Sequence, residues 1–274
     1  MNGSDARAAV AANDLNDWLI AHGQHFVTSD AVAKILGVPK DQATTMIARQ
    51  KARGRIFSPT RGAYVPIPPE YRNWGAVPAN HFVDALMQHL GHPYYVAFLT
   101  AAEIHDAAHQ RPQAFQVITD VQVRDRSFER VRLEFARDLS VARRSVDVVN
   151  TPTGTMRVAS PEVTVLDLVA WPRHGGGLSN VATVIGDLLV DRKLREPELL
   201  EAAWTYPNAV VQRAGWLLDK MGEEVDAQID TGKLASLSKE RRRIPARLDP
   251  ADKRSGLLDK KWNLLVNADI EPDL

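Results

Sequence analysis

The sequence predicts an α+β protein in which an N-terminal winged helix-turn-helix precedes a larger C-terminal α+β domain with a mainly antiparallel sheet. Three observations predict it. Two short segments of helical apolar period meet at Gly37-Val38-Pro39, a basic hairpin pattern follows from Arg55 to Val65, and from Gln113 the period becomes alternating, in short runs divided by charged turns.

Bulk properties set the frame. The 274 residues have room for about two domains. The 34 lysines and arginines balance 34 acids, so any affinity for a polyanion has to be concentrated at one face. No apolar run reaches the roughly eighteen residues needed to cross a bilayer. Met1 to Asp14 is alanine-rich, carries Asp5, Arg7 and Asp14, and lacks the apolar stretch of a secretory signal. A cytoplasmic protein with no membrane partner is expected. The absence of cysteine removes disulfides, thiolate chemistry and cysteine-ligated zinc together.

Residues Asp5 to Gly23 read as one amphipathic helix, with Ala8, Ala11, Leu15, Trp18 and Leu19 at near-helical spacing. Thr28-Ser29-Asp30 offers N-cap residues ahead of Ala31, Val32, Ile35 and Leu36, and Gly37 stops that helix. Proline is tolerated in a first helical turn, so Pro39 opens a second helix running to about Ala52. Its inner stripe is Ala43, Met46, Ile47 and Gln50. Its other face carries Lys40, Gln42, Thr45 and Arg49, groups suited to base edges and phosphates.

After Gly54, Arg55 to Ser58 reads as a strand, Pro59-Thr60-Arg61-Gly62 as a turn and Ala63-Tyr64-Val65 as the returning strand of a wing. Between Pro39 and Val65 the cations Lys40, Arg49, Lys51, Arg53, Arg55 and Arg61 face one acid, Asp41. Such a local excess is what counterion release from a duplex requires, and Arg61 at the turn tip suits a phosphate or a minor groove. The plainer reading is a protein-binding helix-turn-helix with solvated cations.

Pro66-Ile67-Pro68-Pro69 cannot extend a sheet, which puts a stiff linker here and domain bounds at 1–68 and 74–274. Pro78 to Leu90 reads as a helix. Pro93 to His109 reads as a second helix or as a strand, over Tyr95 to Phe98, leading into one. Ala114 to Thr119, Val131 to Phe135, Val146 to Val149 and Met156 to Val158 read as strands. Ser160-Pro161-Glu162 opens a helix, and further helices are expected over Asn180–Lys193, Pro197–Tyr206, Asn208–Gly222 and Asp226–Leu237, before an irregular tail with Trp262-Asn263-Leu264-Leu265-Val266.

Candidate chemistry is sparse. His105 and His109 stand four apart, as in zinc peptidase helices, but the second position is Asp106, one methylene shorter than the glutamate that activates metal-bound water. No third ligand is evident, although His81, His89 and His92 are near in sequence, so no metal site and no cofactor are expected. Gly175-Gly176-Gly177 lacks the spacing of a nucleotide cradle. Glu103, Asp106, Asp120 and Asp125 do not form a paired carboxylate motif. Arg241-Arg242-Arg243, with Lys239 and Arg247, is a second cationic cluster.

With these residues laid out, the chain resembles the AbiEi-type antitoxins of abortive-infection toxin-antitoxin systems. The resemblance rests on Arg61-Gly62-Ala63-Tyr64-Val65, the stretch from Tyr94 to His105, the helix start from Ser160 to Leu168, and the end from Trp262 to Asn267. It implies a type IV antitoxin without enzymatic activity that represses its own operon by binding promoter inverted repeats in double-stranded DNA. It also implies a functional partner, a nucleotidyltransferase-like toxin countered without a stable complex. The positions carried over are Lys40, Gln42, Thr45, Arg49, Arg53, Arg55 and Arg61. Two other readings stay open: a winged-helix regulator that senses a small ligand, and a metal-dependent nucleic-acid enzyme.

Overall fold

Thr28 and Gly37 fix the ends of the helix around which the N-terminal part is built. The Thr28 side chain accepts from the Ala31 N–H at 3.2 Å, satisfying one of the donors a helix start leaves without a partner. Gly37 adopts φ +64°, the left-handed conformation that ends helix Ser29–Leu36 without Cβ strain. Three residues later helix Lys40–Ala52 begins behind Pro39.

The computed structural model describes residues 15–108, 112–241, 244–252 and 255–273. The expected helix over Asp5 to Asp14, His109 and the pair Arg242-Arg243 lie outside the described residues. The chain forms two compact units. The first runs to Pro93 and takes in Gln122–Phe135 and Val148–Met156; the second comprises Tyr94–Val121, Ala136–Asp147 and the chain from Arg157 onward.

In the first unit, helix Leu15–Ala21 joins helices Ser29–Leu36 and Lys40–Ala52 over one core: Leu15, Leu19, Val27, Val32, Leu36, Ala43, Ile47 and Ile56. Burying each of the larger side chains contributes about 1.5–3 kcal/mol. A sheet of order Val27–Thr28, Ala63–Pro66, Ile56–Thr60 closes this core, with Phe57 opposite Val65 and a register shift before Thr60. Asn16, fully buried, pairs its amide with the backbone of Ile67: its Oδ1 accepts from the Ile67 N–H at 3.2 Å and its Nδ2 donates to the Ile67 carbonyl at 3.4 Å. Beyond it the proline segment becomes a 3-10 helix, Pro69–Trp74, followed by helix Val83–Leu90. The inserted strands pair Arg126 with Leu133, Ser127 with Arg132 and Phe128 with Val131.

In the second unit, Tyr94–Val96 lies between Phe115–Thr119, antiparallel, and Gly154–Ala159, parallel. The sheet is therefore mixed. Helix Pro161–Ala170 starts on Ser160, whose side chain accepts from the Val163 N–H at 3.3 Å. It is buried nearly all round and packs against helices Phe98–Ile104, Leu178–Val190, Glu196–Ala203 and Asn208–Glu224. A helix apolar on every side belongs in a core.

Three expectations change. The helix expected to reach His109 is Phe98–Ile104, preceded by strand Tyr94–Val96; His105 caps it and Asp106 turns to φ +61°, which breaks the helical path. The helix expected over Asp226–Leu237 is Gly232–Glu240, because Asp226 has φ +51° and Thr231 docks on Asp219 at 2.7 Å. The tail is not irregular: Ala246–Arg247 and Leu257–Asp259 flank Leu264–Val266 in a small sheet. Strands of two or three residues carry too little periodicity to be read. Their cohesion comes from single side chains: Gln212 Nε2 donates to the Trp262 carbonyl, and Asn267 Nδ2 to those of Asp249 and Asp252, each at 3.0 Å.

Trp262 brings the outer edge of its indole against Gly215 in helix Asn208–Glu224, where a Cβ would collide with the ring, and its Nε1 donates to Asp219 at 2.7 Å. Gly215→Ala is expected to overpack this contact and cost about 1–3 kcal/mol, despite alanine's better helix propensity. A urea unfolding midpoint equal to or above that of the parent protein would refute the close approach.

Candidate nucleic-acid interface

Helix Lys40–Ala52 buries Ala43, Ile47 and Gln50, which fixes its rotation. At about 100° per residue, Gln42, Thr45, Arg49 and the following Arg53 project along one side of the exposed surface, and all four are exposed. Lys40 stands about 180° round from Arg49. Its ammonium pairs with Asp30 at 2.8 Å. Lys51 shares the Lys40 side. Between these two flanks the outward line holds Asp41, Thr45, Ala48 and Ala52, all exposed and three of them small. The helix thus has a low ridge with cations on both shoulders.

The hairpin that follows is tightly held. Ser58 Oγ lies 2.7 Å from the Thr60 carbonyl and 2.9 Å from that of Ala63, closing the turn from inside, while Gly62 at φ +81° supplies the left-handed residue the turn needs. Arg61 sits exposed at its tip. Arg55 is half-buried, 4.0 Å from Asp17, and Arg72 reaches the same carboxylate at 3.4 Å. Among the described residues, Arg49, Lys51 and Arg61 have no ion-pair partner. Of the cations expected from the sequence, Lys40 and Arg55 face acids, whereas Arg49 and Arg61 face none among the described residues. Exposed pairs of this kind are worth about 0–1 kcal/mol and exchange readily for a phosphate.

Sequence reasoning missed one residue here. The Arg126 guanidinium, on the inserted hairpin, donates to the Pro59 carbonyl of the basic hairpin, and burial lowers its pKa from the ordinary arginine value. The Phe57 ring lies 5.3 Å from both Phe82 and Phe128. No sequence signal links Arg126 to Pro59, since 67 residues separate them.

Of the pair His105 and His109, only His105 lies among the described residues. His105 Nε2 is 2.7 Å from the Ala159 carbonyl, and among the described residues no three histidines, cysteines or carboxylates converge. Arg241 donates to the Tyr206 carbonyl at 2.7 Å and so acts within the fold.

The motif residues of the second unit turn inward. Tyr95, Asp167 and Tyr206 are buried. The Tyr206 hydroxyl donates to Asp167 Oδ1 at 2.6 Å, while Asp167 Oδ2 and the Tyr95 oxygen face each other without an aligned hydrogen bond. Arg144 stacks on Tyr206, 3.5 Å from the ring centroid, and donates to Asp138 at 2.6 Å and to the Thr205 carbonyl at 2.7 Å. Burial raises the Asp167 carboxyl from 3.8 to about 7, against the pull of the Tyr206 hydrogen bond and the Arg144 charge. Desolvation wins because the neutral acid has no charge to strip of water.

Residues 95–220 match the family model described as the AbiEi antitoxin C-terminal domain, so the family resemblance seen in the sequence holds over this stretch. No curated protein matches the chain. A solved structure, the crystal structure of RV2827C protein from Mycobacterium tuberculosis, aligns at TM-score 0.63 over 92% of this chain and 90% of that one, with 17% identity. At that identity the likeness shows a common fold. No helix among the described residues is long and apolar enough to cross a membrane.

Asp167 gives the second unit a testable pH response. The folded carboxyl keeps its proton up to about 7, whereas an unfolded one releases it near 3.8. Between those values the folded state binds more protons, so this group's contribution to stability falls as pH rises. Asp167→Asn is expected to remove that component: relative to the variant, the parent protein should lose stability from about pH 4 to about pH 7. Parallel stability curves in urea across that range would exclude Asp167 as the source.

Proposed function

We propose that the chain is a DNA-binding repressor and the antitoxin of an AbiE-like type IV toxin-antitoxin system. The helices Ser29–Leu36 and Lys40–Ala52 with the Ile56–Pro66 hairpin act as a winged helix-turn-helix and bind inverted repeats in the operon's own promoter. The residues 95–220 counter a nucleotidyltransferase-like toxin without a lasting complex and without catalysis of their own.

One observation carries the DNA reading. A helix ridge of small residues has Arg49 on one shoulder, Lys51 on the other and Arg61 at the adjoining hairpin tip, none with an ion-pair partner among the described residues. A ridge of Thr45, Ala48 and Ala52 can approach base edges, where alanine and threonine methyls meet thymine methyls, while the shoulders face the two sugar-phosphate strands. A palindromic promoter would be read by two copies of the chain. What supports the antitoxin reading is the domain match over residues 95–220.

The test is binding to duplex DNA from immediately upstream of the gene, measured across a salt series. Arg49→Ala and Arg61→Ala should each weaken binding severalfold and lower the slope of log K against log salt by about 1. Wild-type affinity and slope in both variants would take DNA recognition away from this face.

A further inference from the structure

Beside the basic hairpin lies a groove of about 530 Å³ that neither the family match nor the sequence assigns. One wall is the end of helix Lys40–Ala52 and strand Ile56–Thr60, the second is the 3-10 helix Pro69–Trp74, and the third is the tip of the inserted hairpin at Phe128-Glu129-Arg130. Three cations line it, Lys51, Arg72 and Arg130, against the single acid Glu129. Lys51 and Arg130 are exposed and have no ion-pair partner among the described residues. Arg72 shares Asp17 with Arg55.

The walls are fixed. Arg126 ties the inserted hairpin to the Pro59 carbonyl, and Phe57, Phe82 and Phe128 pack ring to ring beneath it. The hairpin tip approaches Gly75 so closely that a Cβ there would stand 2.6 Å from Glu129 Cγ. A groove with cations on facing, braced walls holds its charge geometry before any ligand arrives, which lowers the ordering cost of binding. Trp74, 40% exposed, adds an apolar surface of the kind a deoxyribose ring packs on.

We propose that this groove is a clamp for the sugar-phosphate backbone of the same duplex, with Lys51 and Arg130 as phosphate contacts outside the helix and hairpin face. The proposal rests on the DNA-binding reading above. Lys51 is the link, because it projects from the shoulder opposite Arg49 and lines the groove. A strand that passes Lys51 continues along the groove toward Arg130. Arg126 is a positioning residue: it touches no phosphate and acts by holding the inserted hairpin against Pro59.

The full chain is titrated with duplex from immediately upstream of its gene, over a salt series, with hydroxyl-radical footprinting of the bound complex. Lys51→Gln and Arg130→Gln should each lower the salt slope by about 1 and the affinity severalfold, and should lose protection at one flank of the footprint while its centre persists. Arg126→Met should weaken binding with less change of slope, since no counterion-releasing contact is removed. Thermal melting of each variant distinguishes lost contact from lost fold, and both glutamine variants, being at exposed sites, should melt with the parent. If Lys51→Gln and Arg130→Gln bind with parental slope and footprint while Arg61→Ala is impaired, the clamp is wrong and the helix and hairpin face stands. If the parent chain binds no duplex, both readings fail.

Discussion

A helix presents cations usefully only if something else fixes its rotation. In helix Lys40–Ala52 that constraint is the burial of Ala43, Ile47 and Gln50, the first two in one core with Leu15, Leu19, Val32 and Ile56. Because the helix turns about 100° per residue, burying these three leaves no freedom in where Arg49, Lys51 and Arg53 point. The apolar contacts are worth far more than any exposed charge, so the core sets the position of the charges and the charges do not set the fold. The hairpin depends on the same core through Ile56, Ala63 and Val65, all buried. Arg61 is held out at its tip as a consequence.

The legibility of this face in the sequence follows from that dependence. Positions 29 to 65 carry their instructions locally: Thr28 and Gly37 as caps, Pro39 as a helix start, Gly62 at a turn that needs positive φ. Such signals act within a few residues and can be read from the chain alone. What escaped the reading acts over long separations. Arg126 meets Pro59 across 67 positions, and Gly215 admits Trp262 by a close approach that no spacing reveals. Lys40 lies on the same helix as Arg49, but its rotation sends it to Asp30, on the opposite shoulder.

The second unit shows why a recognisable motif need not be a working surface. The stretch from Tyr94 to His105 and the helix start from Ser160 to Leu168 carry the family likeness, yet most of their side chains are buried. Tyr95 and Asp167 lie in these two stretches and meet in the interior, with Tyr206 and Arg144 completing the cluster. A buried polar cluster demands matched partners in fixed geometry, so it constrains residue identity more tightly than an apolar contact does. The motif is therefore the signature of a fold with a polar core, and surfaces that meet a partner have to be sought among the exposed residues.

Asp167 adds a physical distinction within that cluster. Arg144 answers its burial with Asp138, the Thr205 carbonyl and the Tyr206 ring, so its charge is compensated on three sides. Asp167 has one firm donor, Tyr206, and its second oxygen has none. An ion compensated on every side keeps its charge on burial, while one compensated on a single side yields to desolvation and takes up a proton instead. The same interior thus holds one group as an ion and another as an acid near neutrality, and the difference lies in the number of partners each was given.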